Sequence, residues 1–432
     1  MMTIQNVKGS MDYLPKEQKI RNYINQILKN TFEAYGYLSI ETPILMYYNI
    51  LSGKYDEDND LLKEIYKLTD QGKRELGLRY DLTVPFAKFI ALNKNKIKLP
   101  FKRYEISKVF RDGPVKLGRD REFTQCDVDV VGIPGQMIEA ECLSLYVEAF
   151  QKLNIDIKIL YNSRNLIAGL ILASGVSVEL ISNTITIIDK MDKLSIKEFQ
   201  SELEKIGLEQ QNINYLLEYF KLSLDDLRIK FQDTNIQELK KGLEELSILN
   251  QYINKLGIED SCIFTPTLAR GQDYYTGNVF EVYEATGKLN CSIGAGGRYD
   301  KMITDFIDDG EEYPAVGISF GLTSIYEILK DRAQFESISE VELFIIPMNT
   351  EVESLKLANL LRKNGIKVDL EMKSRKLKKS LDFANKEKIP YVIILGEDEV
   401  KNGNIKIKKM ESGENMECSI YDVDKIVNYI KG

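Results

Sequence analysis

From about residue 162 to residue 256 the chain is patterned almost wholly as helix, with leucine and isoleucine spaced among lysine and glutamate and few turn formers except Gly207. Strand patterns lie on both sides of this stretch, at 101–110 and 123–131 before it and at Ile263 and 279–283 after it. A sheet that is left for helices and then resumed predicts an α+β domain carrying a helical insertion, at about 162–256.

The rest of the order follows from punctuation. Residues 16–35 have helical spacing after Pro15 and break at Gly36. Residues 37–44 and 77–79 read as strands, 82–92 as a helix, and 101–110 as a strand leading into the Asp112-Gly113-Pro114 turn, from which 123–131 returns antiparallel. Strand, loop, strand is a suitable cradle for a bent ligand. A polar stretch at 330–340 reads as a linker. Beyond it strands and helices alternate at 341–348, 351–364, 367–372, 375–388 and 391–395, the pattern of a small α/β domain. The expected division is therefore 1–329, a linker at 330–340, and 341–432.

The 432 residues include no histidine, which excludes every mechanism that needs imidazole as base, acid or metal ligand. The five cysteines, Cys126, Cys142, Cys262, Cys291 and Cys418, are scattered and never form C-x-x-C, against a disulfide framework or a thiolate metal site. No window approaches the roughly 18 apolar residues of a membrane span, and the N-terminus has no apolar signal region, so a cytoplasmic, non-membrane protein is expected. The formal net charge is −8. Residues 341–432 hold 17 Lys+Arg against 15 Asp+Glu, and residues 1–340 hold 41 against 51, so the C-terminal part is the more basic. Its run 373–379 places five cations in seven residues and suits phosphate contacts and a solvated helix start equally.

Two short segments concentrate chemistry. Residues 268–277 read Leu-Ala-Arg-Gly-Gln-Asp-Tyr-Tyr-Thr-Gly, and 293–300 read Ile-Gly-Ala-Gly-Gly-Arg-Tyr-Asp. Arg270 can meet an anion. Tyr274, Tyr275 and Tyr299 can donate or accept, and Gly294, Gly296 and Gly297 are expected to let backbone approach a ligand closely. Either segment alone also suits a Gly-rich hairpin packed by tyrosines. On the strand at 123–131, Gln125, Asp127 and Asp129 alternate onto one face.

Together the two segments resemble the signature segments of histidyl-tRNA synthetases, and the likeness extends along almost the whole chain. Lys108 to Gln125 is similar to motif 2 of class II aminoacyl-tRNA synthetases, residues 37–47 to motif 1, and residues 8–15 to the family's N-terminal segment. The resemblance implies a class II antiparallel-sheet catalytic core with a helical insertion, followed by an anticodon-binding domain, which 375–403 resembles. It implies that Arg111 holds the α-phosphate of ATP and the substrate carboxylate, that Arg119 binds the distal phosphates, that Phe123 stacks under adenine, and that Arg270 is the electrostatic catalyst. Bidentate guanidinium suits phosphate and carboxylate, and a flat ring covers a base without demanding a hydrogen bond. Leu78 to Pro85 resembles the segment that holds the amino acid's ammonium, so Asp81 and Thr83 are its implied acceptors. Gln125, Asp129, Tyr274, Tyr275 and Tyr299 are the implied remaining ligands of L-histidine, with Tyr275 and Tyr299 reading the imidazole. The tRNA is expected near Lys116 on the motif 2 loop and at Arg375 and Lys376, with the helical insertion on its acceptor stem. Mg²⁺ is expected with ATP, its protein ligands unassigned, and a homodimer is implied through motif 1.

Histidine activation and transfer to tRNA(His) is thus the expected activity. Absence of histidine from the chain fits either AT-rich drift or an enzyme whose own synthesis does not need its substrate. One departure bears on activity: the arginine that ends motif 3 in the family is Ser324 here. An alternative reading is a histidine-sensing paralogue without aminoacylation activity, of the kind that regulates ATP phosphoribosyltransferase.

Overall fold

The computed structural model describes residues 4–53, 60–270, 274–332, 335, 339–373 and 375–432. Gly271, Gln272 and Asp273 of the first signature segment, Ser374 of the basic run, and residues 333, 334 and 336–338 of the expected linker lie outside them, as do residues 1–3 and 54–59. The chain divides into two compact units, Met1–Lys330 and Asp331–Gly432.

The first unit is built on an eight-stranded sheet. Phe101–Phe110 and Glu122–Val131 form a full-length antiparallel hairpin, pairing Arg103 with Asp129, Glu105 with Asp127 and Ser107 with Gln125. Ala315–Gly321 runs antiparallel on the other side of Glu122–Val131, setting Gly317 opposite Asp129 and Ser319 opposite Asp127. Gly294–Arg298, Asn278–Glu284 and Ile157–Ser163 continue antiparallel, and Leu38–Ser39 and Cys262–Phe264 add parallel edges. Directly paired residues share a face, so this register sorts the two sides of the sheet. On one side Cys126, Val128, Val130, Ile318 and Phe320 are buried, and Phe320 packs against Phe32, Tyr146 and Phe150 of the helices Pro15–Ala34 and Met137–Lys152. On the other side the central strands carry Gly317, Ser319, Ala295 and Gly297. These small residues leave a trough bordered by the charged side chains of the neighbouring strands.

Arg164–Ala173 opens the helical insertion and Gln237–Leu256 closes it; Asn162 and Ser163, expected inside it, are the last residues of a strand. Ser163 turns the chain by accepting from the Asn165 N–H as an N-cap. The insertion has its own core, with Ile167, Ile171, Phe199, Leu203, Ile213 and Leu216 buried together. Its first and last helices cross at glycines: a Cβ on Gly169 would lie 2.4 Å from the Leu239 backbone, and one on Gly242 would lie 2.3 Å from the Leu166 N.

The strand expected at 37–44 is only Leu38–Ser39, because the chain passes Pro43 and then joins a separate three-stranded sheet at Leu45–Tyr47 with Glu75–Leu78 and Lys67–Thr69. In the second unit Leu343–Met348 pairs in parallel with Val368–Leu370 and Tyr391–Gly396. Two antiparallel strands, Asn404–Lys409 and Asn415–Ser419, and a final helix, Val423–Lys431, complete it beyond the expected elements. Among the described residues no helix is long and apolar enough to cross a membrane.

Candidate active site

The trough is lined by residues that alternate onto it from the central hairpin. Arg103, Glu105, Asp127 and Asp129 are all at most 3% exposed. The Arg103 guanidinium lies 2.5 Å from Asp129 Oδ2, donates to the Leu82 carbonyl at 3.0 Å, and packs 4.6 Å from the Phe86 ring centroid. Asp129 Oδ1 accepts the Tyr299 hydroxyl. Beneath them Glu105 accepts from the Thr42 N–H and hydroxyl and pairs with Arg79 at 2.9 Å, while Arg79 also donates to the Lys108 and Thr42 carbonyls. This buried network fixes the floor, because removing one partner would strand a desolvated charge.

Asp81 ends the segment before the helix Thr83–Asn93, and its Oδ1 accepts the Val84 N–H at 3.1 Å. Thr83, partly buried, is the first residue of that helix. Asp81 Oδ2, Gln125 Oε1 and Asp127 Oδ1 are buried without a hydrogen-bond partner among the described residues. Gln125 donates through Nε2 to the Ser319 hydroxyl at 3.0 Å. Burial holds the carboxyl groups of Asp81 and Asp129 above the usual range and pushes Asp127 up to about 8, against the opposing pull of Arg103. Buried acceptors without donors define a place for a ligand that brings N–H groups and positive charge.

Tyr275 is buried and Tyr299 nearly fully so; Tyr274 packs against both, tilted to Tyr275 and edge-on to Tyr299, with ring centroids at 4.6 Å and 6.1 Å. Arg270 faces the trough's far side, where Nη1 donates to Glu281 at 3.0 Å and Nε is buried without a hydrogen-bond partner among the described residues. Arg111 spans Tyr80 and Phe123: its guanidinium carbon is 4.2 Å and 5.0 Å from their ring centroids, and Nε donates to the Tyr80 carbonyl. Arg119 and Lys116 are exposed and pair through their backbones across the loop tip, where Gly118 takes φ +74°. Ser324 is 6% exposed in the helix Leu322–Leu329 and donates to the Gly118 carbonyl at 3.2 Å, so it supports the tip of that loop.

The glycines act differently from expectation. Gly294 and Gly296 face the helical side of the sheet, where a Cβ would meet the Tyr146 ring at 2.8 Å or the Gly317 carbonyl at 2.2 Å. Gly297 faces the trough, yet a Cβ there would meet Tyr275 at 2.9 Å. These glycines admit protein against protein. In the second unit Arg375 lies 3.5 Å from Glu371 and 4.5 Å from the Phe383 centroid, whereas Lys376 is exposed just before the helix Leu377–Lys386. The sequence reading missed Arg103, Glu105, Ser319 and Glu281; the readable signal was parity with Asp129 along paired strands.

A family model described as histidyl-tRNA synthetase matches residues 9–325, and one described as an anticodon binding domain matches 342–431. The chain belongs to the histidyl-tRNA synthetase family. Among relatives in the family, "Histidine--tRNA ligase 1" of Bacillus cereus (strain ZK / E33L) is 45% identical, covering 99% of this chain and 100% of that one. "Histidine--tRNA ligase 2" of Shouchella clausii is 42% identical over 95% of this chain and 96% of its own. The crystal structure of histidyl-tRNA synthetase from Nostoc sp. PCC 7120 superposes with a TM-score of 0.84 at 29% identity, covering 100% of this chain and 99% of the other. The class II core with a helical insertion and the separate anticodon-binding domain are thus family features.

Proposed function

We propose that this chain activates L-histidine with ATP, giving histidyl-adenylate and pyrophosphate, and transfers the histidyl group to tRNA(His) in protein synthesis. The observation that carries the reading is the set of buried, unpartnered acceptors at Asp81, Gln125 and Asp127 beside Asp129 and three tyrosines, in a chain of this family. Asp81, Thr83 and Gln125 receive the ammonium; Asp129, Tyr274, Tyr275 and Tyr299 enclose the ring. A site built to pair with ring nitrogens rejects apolar isosteres, because its own groups would be left unpaired.

In the first step a carboxylate oxygen of histidine bonds to the α-phosphorus as the bond to the pyrophosphate oxygen breaks. The carboxylate is already a nucleophile, so no general base is needed, consistent with a chain lacking histidine. Arg111 and Arg270 align the reacting groups and neutralise charge, Arg119 takes the distal phosphates, and Phe123 supports adenine once the Arg111 guanidinium shifts toward phosphate. Mg²⁺ neutralises phosphate charge when bound. Among the described residues no group of three or more carboxylate or thiol side chains is placed to hold a metal ion.

Residues 1–329 form the catalytic domain, 330–340 the linker and 341–432 the anticodon-binding domain of a cytoplasmic homodimer. Lys116, Arg375 and Lys376 contact tRNA, with Lys376 the more accessible of the last two. ATP–pyrophosphate exchange with each of the twenty amino acids tests the reading. Exchange with histidine alone, followed by charging of tRNA(His), is expected. Histidine binding without exchange would instead make this chain a sensor.

A further inference from the structure

Asp127 is a site carboxylate to which the family resemblance gives no role and, unlike Glu105 and Glu281, it makes no ion pair within 4 Å of a described cation. It stands between Gln125 and Asp129 on the trough face, 3% exposed, with Oδ1 lacking a hydrogen-bond partner among the described residues. Its surroundings divide the trough into two ends. Asp129 is engaged by Tyr299 and Arg103. Asp127 and Gln125 share Ser319, whose hydroxyl accepts from Gln125 and turns its own proton toward Asp127. Asp127 is also near enough to Asp81 for the two to repel. Asp127 therefore belongs with Asp81 and Gln125, the groups assigned to the ammonium. An ammonium has three N–H donors, and among the described residues this end of the trough offers three buried, unpartnered acceptors, Asp81 Oδ2, Gln125 Oε1 and Asp127 Oδ1, which leaves the Thr83 hydroxyl to share one of those donors.

We propose that Asp127 is a further histidine-binding residue, whose Oδ1 accepts an N–H of the substrate's α-ammonium and which becomes ionised when that ammonium arrives. The inference rests on the histidine-activation reading. Its electrostatic side follows from every charged or titratable neighbour around the carboxyl. Arg103 and Arg79 attract its charged form, Asp129 and Asp81 repel it, Glu105 stands opposite it on the paired strand, Tyr275 and Tyr299 lie on its own side of the sheet, and Cys126 and Tyr146 lie on the helical side. Burial leaves Asp127 with a pKa of about 8 before substrate binds, so it is largely protonated at neutral pH. An ammonium beside Oδ1 stabilises the carboxylate and expels that proton.

The test is calorimetric titration of the full-length protein with L-histidine at pH 7 in two buffers of different ionisation enthalpy, for the wild type and Asp127→Asn. The wild type should release a proton on binding. D127N should release less by up to about one proton per histidine and bind about 10- to 100-fold more weakly, the scale of one hydrogen bond to a charged group. Imidazolepropionate, which lacks the amino group, should bind both proteins equally. Absence of proton release from the wild type overturns the proposal whether or not the variant folds. So does unchanged histidine affinity in D127N, or equal weakening of imidazolepropionate, which would move the contact to the ring. A wild type that binds no histidine overturns the functional reading as well, and histidine-dependent exchange separates that failure from one confined to Asp127.

Discussion

Gly317 makes room for Asp129: a Cβ on this glycine would lie 2.0 Å from Asp129 Oδ1 and 3.1 Å from the Tyr299 ring. The strand register places the two residues opposite each other, so the clash cannot be relieved by a flexible chain end. Gly317→Ala should break the contact between Asp129 and Tyr299. We expect the KM for histidine to rise at least tenfold while the KM for ATP changes little, with stability lower by about 1–3 kcal/mol, typical of overpacking. Steady-state exchange kinetics and denaturant unfolding check both.

Arg270 is held by Glu281 at 3.0 Å, and among the described residues it makes no ion pair with Asp81, Asp127 or Asp129 of the histidine-binding floor. Arg270→Ala should therefore leave histidine affinity within a few-fold while lowering the exchange rate by about 10²–10³, the usual scale for a lost transition-state charge contact. A variant that loses histidine binding in parallel with rate would place Arg270 in ground-state recognition instead.

Replacing Ser324 with arginine should not restore a lost function. The Ser324 side chain is buried and supports the Gly118 carbonyl of the motif 2 loop. Ser324→Arg must displace that loop tip, and the KM for ATP should rise several-fold. Ser324→Ala loses one neutral hydrogen bond, about 1 kcal/mol, and should change the same constant by less than tenfold. A lower KM for ATP in the arginine variant contradicts this account.

Stability of the substrate-free protein should depend on Asp127. Its folded pKa of about 8 lies above its unfolded value, so between the two the folded state binds the proton and the unfolded state does not. The stabilising contribution is fully present below the unfolded pKa and is lost as pH rises through the folded one, with a limiting slope of about 1.4 kcal/mol per pH unit. Asp127→Asn should melt higher than the wild type at pH 8 and show a smaller advantage as the pH falls toward 4. Differential scanning calorimetry across that range, without histidine, measures it. An unchanged difference would assign the slope to other carboxyls.

The hairpin Phe101–Phe110 with Glu122–Val131 was legible because its alternation, its Asp112-Gly113-Pro114 turn and its charged rim agree. The helical insertion was legible from periodicity, apart from its start: the Ser163 cap sits in a strand that sequence spacing alone does not distinguish from helix. The parts that escaped depend on which strands become neighbours. Arg103 looks like an ordinary strand cation until register sets it opposite Asp129. Gly294 and Gly296 look like ligand platforms until strand parity turns them toward Tyr146 and Ile318. The hairpin Asn404–Lys409 with Asn415–Ser419 carries lysine and glutamate on its open side, which weakens its strand signature.

The strands Ile157–Ser163 and Cys262–Phe264 pair in parallel, with Ile159 beside Cys262. A parallel crossover requires a connection of about a dozen residues, and here residues 164 to 261 provide it. The crossing of Gly169 and Gly242 draws the excursion's first and last helices together, and the core between them is built from the excursion's own residues with Ala269 added from outside it. Helices within it could be lengthened, shortened or exchanged between related chains without shifting a single strand of the sheet. The fold thus contains a replaceable cartridge beside a separately built chemical floor.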